Sequence, residues 1–357
     1  MSSSDVAGSV VELTIGTYTN GVTPDRGIFR GWVAADGSDA GLRGVASVAP
    51  TVNPTWVVFS ADGRFVYAAC EGDEGAVAAL EVNAEGGLSL LGVQPTGGSE
   101  TCHVALVNGG THLVAADYKT GSVAVHPVLA DGSLGARTGR VQHVGSGPYT
   151  ERQAGPHAHM IAEDPAGRHI FALDLGTDTV YAYVLDAEAG TLTESARTVL
   201  HGAFGPRHLA FHPDGELVYV VGELGFEIAV CEYDRETGAL SPVTTFAVVE
   251  DGVLGVDFPS GIRVTADGRF LYVAVRGRDD LRTYSLADPR KPALVSAVPT
   301  GGSWPRDIAL SPDGTLLFSA NQLADVITVF RLDPASGVPS PTGATLEIAA
   351  PACVLMR

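Results

Sequence analysis

The sequence predicts an all-β fold, a seven-bladed β-propeller built from four-stranded antiparallel blades. Three observations carry this. A turn signal recurs six times at a spacing near 50 residues. Each turn lies between two short apolar runs, with an alternating run after them. The composition also suits many short strands and tight turns: 357 residues include 44 Gly and 21 Pro and are 45% hydrophobic, while runs with a helical period are scarce.

The turns are Ala61-Asp62-Gly63, Asn108-Gly109-Gly110, Pro165-Ala166-Gly167, Pro213-Asp214-Gly215, Ala266-Asp267-Gly268 and Pro312-Asp313-Gly314. Their glycines stand 47, 57, 48, 53 and 46 residues apart. The runs after them read RFVYAAC, THLVAAD, RHIFALD, ELVYVVG, RFLYVAV and TLLFSAN. A third, alternating run follows each, from AVAALEV to VITVFRL, and then a second turn and an edge strand. Four antiparallel strands at this period make a propeller blade. Six full repeats span roughly Val52 to Thr342. VELTIGTYTN and GIFRGWVAADG near the start lack an inner strand, and TLEIAAPACVLMR at the end supplies a spare one. The simplest closure is a seventh blade sharing strands from both termini, which leaves no sheet edge open. Residues 1–357 therefore form one domain, with residues 1–10 expected as a disordered tail.

Net charge is −19. Nucleic acid and anionic membrane surfaces both require a basic face, so neither is an expected partner. No apolar run approaches the roughly 20 residues that span a bilayer. The N-terminus MSSSDVAGSV lacks the basic and apolar regions of a signal peptide, and the four cysteines form no CxxC. A cytoplasmic protein is the expectation. No phosphate-binding loop, GxGxxG turn or GxSxG elbow is present, so neither a nucleotide cofactor nor a serine nucleophile is expected.

The chemistry gathers by connectivity. The strand before each turn and the strand after it form a hairpin, so the start of the first lies beside the end of the second. In a propeller these positions ring one mouth of the central channel. The starts carry His103, His157, His159, Arg207 and Arg306; the ends carry Glu71, Asp117, Glu223 and Arg276. Arg152 and Gln153 precede them in a long loop, where binding residues concentrate. Clustered arginines read planar anions, and a histidine beside a carboxylate moves protons. The mouth therefore suits a small anionic substrate. His157 and His159, two apart on an extended segment, are read as sharing a face; strand capping and an HxH metal pair are the competing readings. Glu71 and Asp117 either line the channel or cap strands. Arg306 either faces the mouth or makes a blade-to-blade salt bridge.

ERQAGPHAHM, GPRHLAFHPDGELVYVVGELG, RFLYVAVRG and WPRDIALSPDGTLLFSANQ, in this order and at blade spacing, resemble the lactonase family of seven-bladed propellers. That family includes the propeller-type 6-phosphogluconolactonases and is related to the fungal 3-carboxy-cis,cis-muconate lactonizing enzymes. The resemblance implies seven blades and an active site at His159, Arg207, Glu223 and Arg276, with His159 and Glu223 as catalytic groups. Arg207, Arg276, His157, Arg306, Arg152, Gln153 and His103 would bind the substrate, with no metal. It implies hydrolysis of a small phosphorylated or carboxylated lactone. The reverse chemistry, cyclisation of an unsaturated acid, uses the same groups, and a non-catalytic scaffold is the third reading. The sequence departs from the family at Asp117, Gly222 and Val275, where the family tends to carry Asn; Asn321 is kept.

Overall fold

The computed structural model describes residues 10–19, 27–46, 52–84, 86–249 and 257–356. Its strands form seven four-stranded antiparallel sheets. Blade 1 holds β1 (Val10–Thr17), β2 (Ile28–Ala34) and β3 (Ala40–Ala46). Blade 2 holds β4 (Pro54–Phe59), β5 (Phe65–Cys70), β6 (Ala76–Val82) and β7 (Leu88–Pro95). Blade 3 holds β8 (Thr101–Val107), β9 (His112–Asp117), β10 (Ser122–Pro127) and β11 (Gly139–Gln142). Blade 4 holds β12 (Ala158–Glu163), β13 (Ile170–Asp174), β14 (Thr179–Asp186) and β15 (Thr191–Val199). Blade 5 holds β16 (Pro206–Phe211), β17 (Leu217–Gly222), β18 (Glu227–Tyr233) and β19 (Leu240–Ala247). Blade 6 holds β20 (Phe258–Val264), β21 (Phe270–Arg276), β22 (Asp280–Ser285) and β23 (Ala293–Pro299). Blade 7 holds β24 (Pro305–Leu310), β25 (Leu316–Asn321), β26 (Val326–Leu332) and β27 (Pro339–Glu347). The last strand, β28 (Pro351–Met356), pairs antiparallel with β1 and becomes the inner strand of blade 1. The ring closes as the sequence predicts. Val10, placed in the expected tail, pairs with Ala34; the rest of that tail, residues 1–9, lies outside the described residues.

Each blade is apolar on both faces near the axis and polar at its rim. The second strand of blade 2 reads FVYAAC with every residue buried, because neighbouring blades cover both sides. The outer strand LSPVTTFA alternates instead, with one edge in solvent. Apolar clusters join the blades pairwise; one packs Leu217, Val230 and Val273 between blades 5 and 6, another packs Ile15, Phe318 and Val329 between blades 7 and 1. The Asp-Gly turns close the far end as Asx turns, Glu216 N donating to Asp214 Oδ1 at 2.7 Å and Arg64 N to Asp62 Oδ1 at 3.0 Å.

One irregularity recurs in all seven blades and aims the site. The inner hairpin slips register at the start of the inner strand: between Pro54 and Trp56, Thr101 and His103, Ala158 and Met160, Pro206 and His208, Pro259 and Ile262, and Pro305 and Asp307. Blade 1 repeats it where β1 meets β28. The residues left unpaired include Thr55, Cys102, His159, Arg207, Arg306 and Ala352. A bulge breaks the two-residue alternation and re-aims a side chain. Here it turns Cys102, His159 and Arg306 toward the channel mouth.

Candidate active site

A cleft of about 180 Å³ opens at the channel mouth, lined by Tyr18, Glu71, Glu100, Cys102, Tyr118, Arg152, His159, Glu223, Arg276 and Arg306. Two rings supply it. Tyr18, Glu71, Tyr118 and Glu223 each follow the last residue of a second strand, and Arg276 ends one. Cys102, His159 and Arg306 are bulge residues of inner strands. Arg152 enters from the loop before blade 4.

Glu223 is the electrostatic centre of one wall. Its Oε1 accepts from Arg152 Nη2 at 2.7 Å, its Oε2 from Arg276 Nη2 at 2.7 Å, and Arg207 Nε stands 3.1 Å from Oε2. Burial alone would raise this carboxyl, but the guanidiniums of Arg276, Arg207 and Arg152 outweigh it and hold the pKa well below the ordinary range. Arg276 also rests over Phe258 and Trp304, 5.5 Å from each ring centre. Its Nε and Nη2 donate to Phe258 O, Pro259 O and Glu223, which among the described residues leaves Nη1 unclaimed. Among the same residues Arg152 donates through Nη2, to Glu223 and the Tyr118 hydroxyl.

The opposite wall holds Glu71, which accepts from the Tyr18 hydroxyl at 2.9 and 2.8 Å and from Thr55 Oγ1 at 2.8 Å. Arg306 lies beside them, 5.0 Å over the Tyr18 ring and 3.9 Å from Glu71 Oε2. Among the described residues no acceptor lies within hydrogen-bond distance of the Arg306 guanidinium. The contact to Glu71 is the long blade-to-blade pair that the sequence left open, and the neighbouring Asp307 is held by Arg263 at 2.9 Å. The Cys102 thiol is pushed well above its ordinary pKa by burial, so it is no thiolate nucleophile.

His159 stands between the walls, its ring edge-on to Tyr118 and His208. Burial, reinforced by Arg207, holds its pKa well below the ordinary value, so it is a neutral imidazole. Among the described residues its buried Nδ1 has no hydrogen-bond partner. Beneath it the channel is plugged by Trp56, His103 and His208, with Trp56 and His103 stacked at 4.1 Å. His103 and His208 are likewise held neutral, by burial first and then by nearby arginines. All three histidines would take a proton in the unfolded chain near pH 6.5. Their contribution to stability is therefore complete above that pH. It falls below it by about 1.4 kcal/mol per pH unit for each histidine. Urea unfolding at pH 7.5, 6.5 and 5.5 is expected to show this decline, and His208→Gln is expected to make it shallower. A flat profile would contradict the assignment.

With this geometry in view, comparison with known proteins is decisive. Residues 12–356 match the family model described as Lactonase, 7-bladed beta-propeller. The chain belongs to the lactonase family of seven-bladed β-propellers. It is 33% identical over 343 residues to the 6-phosphogluconolactonase of Bacillus subtilis strain 168, covering 95% of this chain and 96% of that protein. The periplasmic gluconolactonase of Pseudomonas aeruginosa superposes with a TM-score of 0.88 at 30% identity, over 98% of this chain and 99% of that one. A Lactobacillus plantarum protein superposes with a TM-score of 0.89, also at 30% identity, covering 98% of this chain and all of that one.

Within this lactonase-family ring several expectations need correction. Gln153 does not face the cleft: it is fully buried, and its Nε2 donates to Leu175 O at 2.8 Å and Asp178 Oδ1 at 2.7 Å, stapling the loop. His157 and His159 do not share a face, because the bulge at His159 breaks the alternation between them. His157 stacks on the far side of Tyr118 at 4.6 Å with its Nδ1 on Tyr118 O, so the Tyr118 ring separates the two imidazoles. Among the described residues no three His, Cys, Asp or Glu side chains are placed to share a metal ion. His103 sits below the cleft, its Nδ1 accepting from Ile161 N. Arg207 is 2% exposed, stands 3.1 Å from Glu223 and is not part of the cleft lining. Glu223, spent on three guanidiniums, is a poor base.

The departures from the family at Asp117, Gly222 and Val275 do not reach the cleft either. Each lies one residue before a cleft-lining residue, Tyr118, Glu223 or Arg276. Asp117 accepts from Thr96, Thr101 and Ser122. A Cβ on Gly222 would stand 2.6 Å from Phe204 O. Val275 is in the core. Even the retained Asn321 is turned to Ser319 and Thr328. Tyr18 and Tyr118 also line the cleft; Tyr118 stands at the end of a second strand, where connectivity puts it at the mouth, while Tyr18 is not legible from the six repeats. Tyr18 becomes visible once the terminal blade is treated as a repeat with β28 as its inner strand, for it then occupies the position of Glu71 and Glu223.

Proposed function

We propose that the chain hydrolyses a small anionic lactone, with a phosphorylated aldonolactone such as 6-phosphogluconolactone as the first candidate. The observation that supports this most directly is the cleft itself. It is small and polar, and it presents three guanidiniums that retain free donors. The names carried by its relatives point the same way. In this reading Arg152 and the unclaimed Nη1 of Arg276 take the phosphate or carboxylate, since guanidinium forks match such oxyanions. Arg306, on the facing wall, meets the carbonyl oxygen, where negative charge develops as water adds. His159, neutral, hydrogen-bonds a sugar hydroxyl and bounds the floor. A histidine base is ordinarily held in one tautomer by a partner on its far nitrogen; the bare Nδ1 of His159 argues against that role.

The test is acid release followed by pH-stat on 6-phosphogluconolactone, glucono-δ-lactone and a muconolactone, each corrected for spontaneous opening. Turnover of the phosphorylated lactone with a kcat/KM well above that of the neutral one is the expected result. Acid release from none of them defeats the hydrolase reading. Net consumption of acid with an unsaturated dicarboxylate would instead favour the cyclase.

A further inference from the structure

We infer that Glu71 is the catalytic base of this site, with Tyr18 as its positioning partner. The inference rests on the lactone-hydrolase reading and deepens it by naming the group that moves the proton.

Elimination narrows the choice. Hydrolysis of a lactone needs a group that accepts a proton from water as the water oxygen attacks. Glu223 cannot serve well, because three arginines claim both its oxygens. Glu100 is held by Lys119 at 3.2 Å. His159 lacks the partner that would fix its tautomer. Cys102 remains a thiol. Glu71 is the cleft carboxylate whose close partners are uncharged hydroxyls, those of Tyr18 and Thr55. Its nearest cation, Arg306, stays at 3.9 Å.

Geometry supports the role. Two carboxylate oxygens offer about four lone-pair sites. The one Tyr18 hydroxyl proton is shared between Oε1 and Oε2, and Thr55 donates to Oε2, so Oε1 keeps a site for a water. The side chain is 15% exposed, and that exposure is to the cleft. Burial pushes the Tyr18 phenol above its ordinary pKa, so it stays a donor and pins the carboxylate. Arg306 adjoins this pair, which puts a positive donor beside the base.

The step balances. A water held by Glu71 Oε1 forms its O–C bond to the lactone carbonyl carbon and passes a proton to Glu71. The carbonyl π pair moves onto oxygen beside Arg306. As the carbonyl re-forms, the ring C–O bond breaks, and the departing alkoxide takes the proton back from Glu71. The product is the hydroxy acid, which then ionises.

The experiment uses the full chain with 6-phosphogluconolactone. Glu71→Gln keeps the shape and can still accept from Tyr18 and Thr55. It is expected to lower kcat about 100-fold or more with KM changed less than about threefold, in line with the share general-base catalysis supplies. Glu71→Ala is expected to regain activity with added formate, a small carboxylate that fills the vacated place; a purely structural glutamate would show no such rescue. Tyr18→Phe, which keeps the carboxylate but frees it to rotate, is expected to lose about tenfold in kcat. Wild-type turnover with kcat of Glu71→Gln within threefold of it overturns this inference and leaves the hydrolase reading standing. A loss carried wholly by KM does the same. Absence of turnover by the wild type overturns both.

Discussion

Glu223→Gln is expected to cost about 3–5 kcal/mol of folding stability, the range seen when one partner of a buried ion pair is removed. The side chain is 5% exposed, and it balances Arg152, Arg207 and Arg276. Gln would leave three guanidiniums facing one another across a few ångströms, two of them buried, with only a neutral amide between them. Arg207 would suffer most, since burial and Arg276 already press against its charge and Glu223 is its main relief. Activity is expected to fall with stability, because the donors of Arg152 and Arg276 are aimed by this carboxylate. Chemical denaturation of both proteins, read by tryptophan fluorescence and circular dichroism, is the measurement. Arg207→Met, which removes a buried charge and keeps an apolar stem, is expected to be milder. A Glu223→Gln loss below about 1 kcal/mol would show that the arginines find other acceptors and that the network is not what holds this wall.

Arg306→Gln is expected to do the reverse, sparing the fold and damaging turnover. No buried carboxylate depends on it: Asp307 has Arg263, and Glu71 keeps its two hydroxyl partners. Its guanidinium lines the cleft with only a long 3.9 Å pairing to Glu71, so what the substitution removes is a donor to the substrate. Loss of one donor to a developing oxyanion costs about 10²–10³ in kcat. The expected pattern is a kcat drop of that order on 6-phosphogluconolactone, a small change in KM and an unfolding midpoint near that of the wild type. If KM rises instead and kcat holds, Arg306 binds the ground-state anion, and the orientation of the lactone in the cleft must be reversed.

The same two residues show where sequence reading succeeds and where it stops. The turn spacing and apolar runs sufficed for seven blades and for closure by β28, because both follow from local periodicity and from the cost of an open sheet edge. Connectivity alone also sufficed to bring His159, Glu223, Arg276 and Arg306 to one mouth, since a hairpin puts the start of one strand beside the end of the next. Roles within that mouth were less legible. Arg207, Arg276 and Arg306 look equivalent as letters, yet one is outside the cleft lining, one is half-spent and one has only the long pairing to Glu71. The difference is a matter of depth and of which carboxylate lies within 3 Å, and neither is written in spacing.

What the sequence by itself determined is the ring and the set of residues that face its mouth. What only the tertiary structure decided is how those residues divide into pairs. A single bulge at the start of each inner strand turns His159 and Arg306 to the axis and sends His157 to the other side of Tyr118. That slip leaves no mark in the hydrophobic period. Once the bulges have set the side chains, short-range electrostatics finishes the assignment: Glu223 takes three arginines and is neutralised, while Glu71 takes two hydroxyls and keeps a lone pair for water.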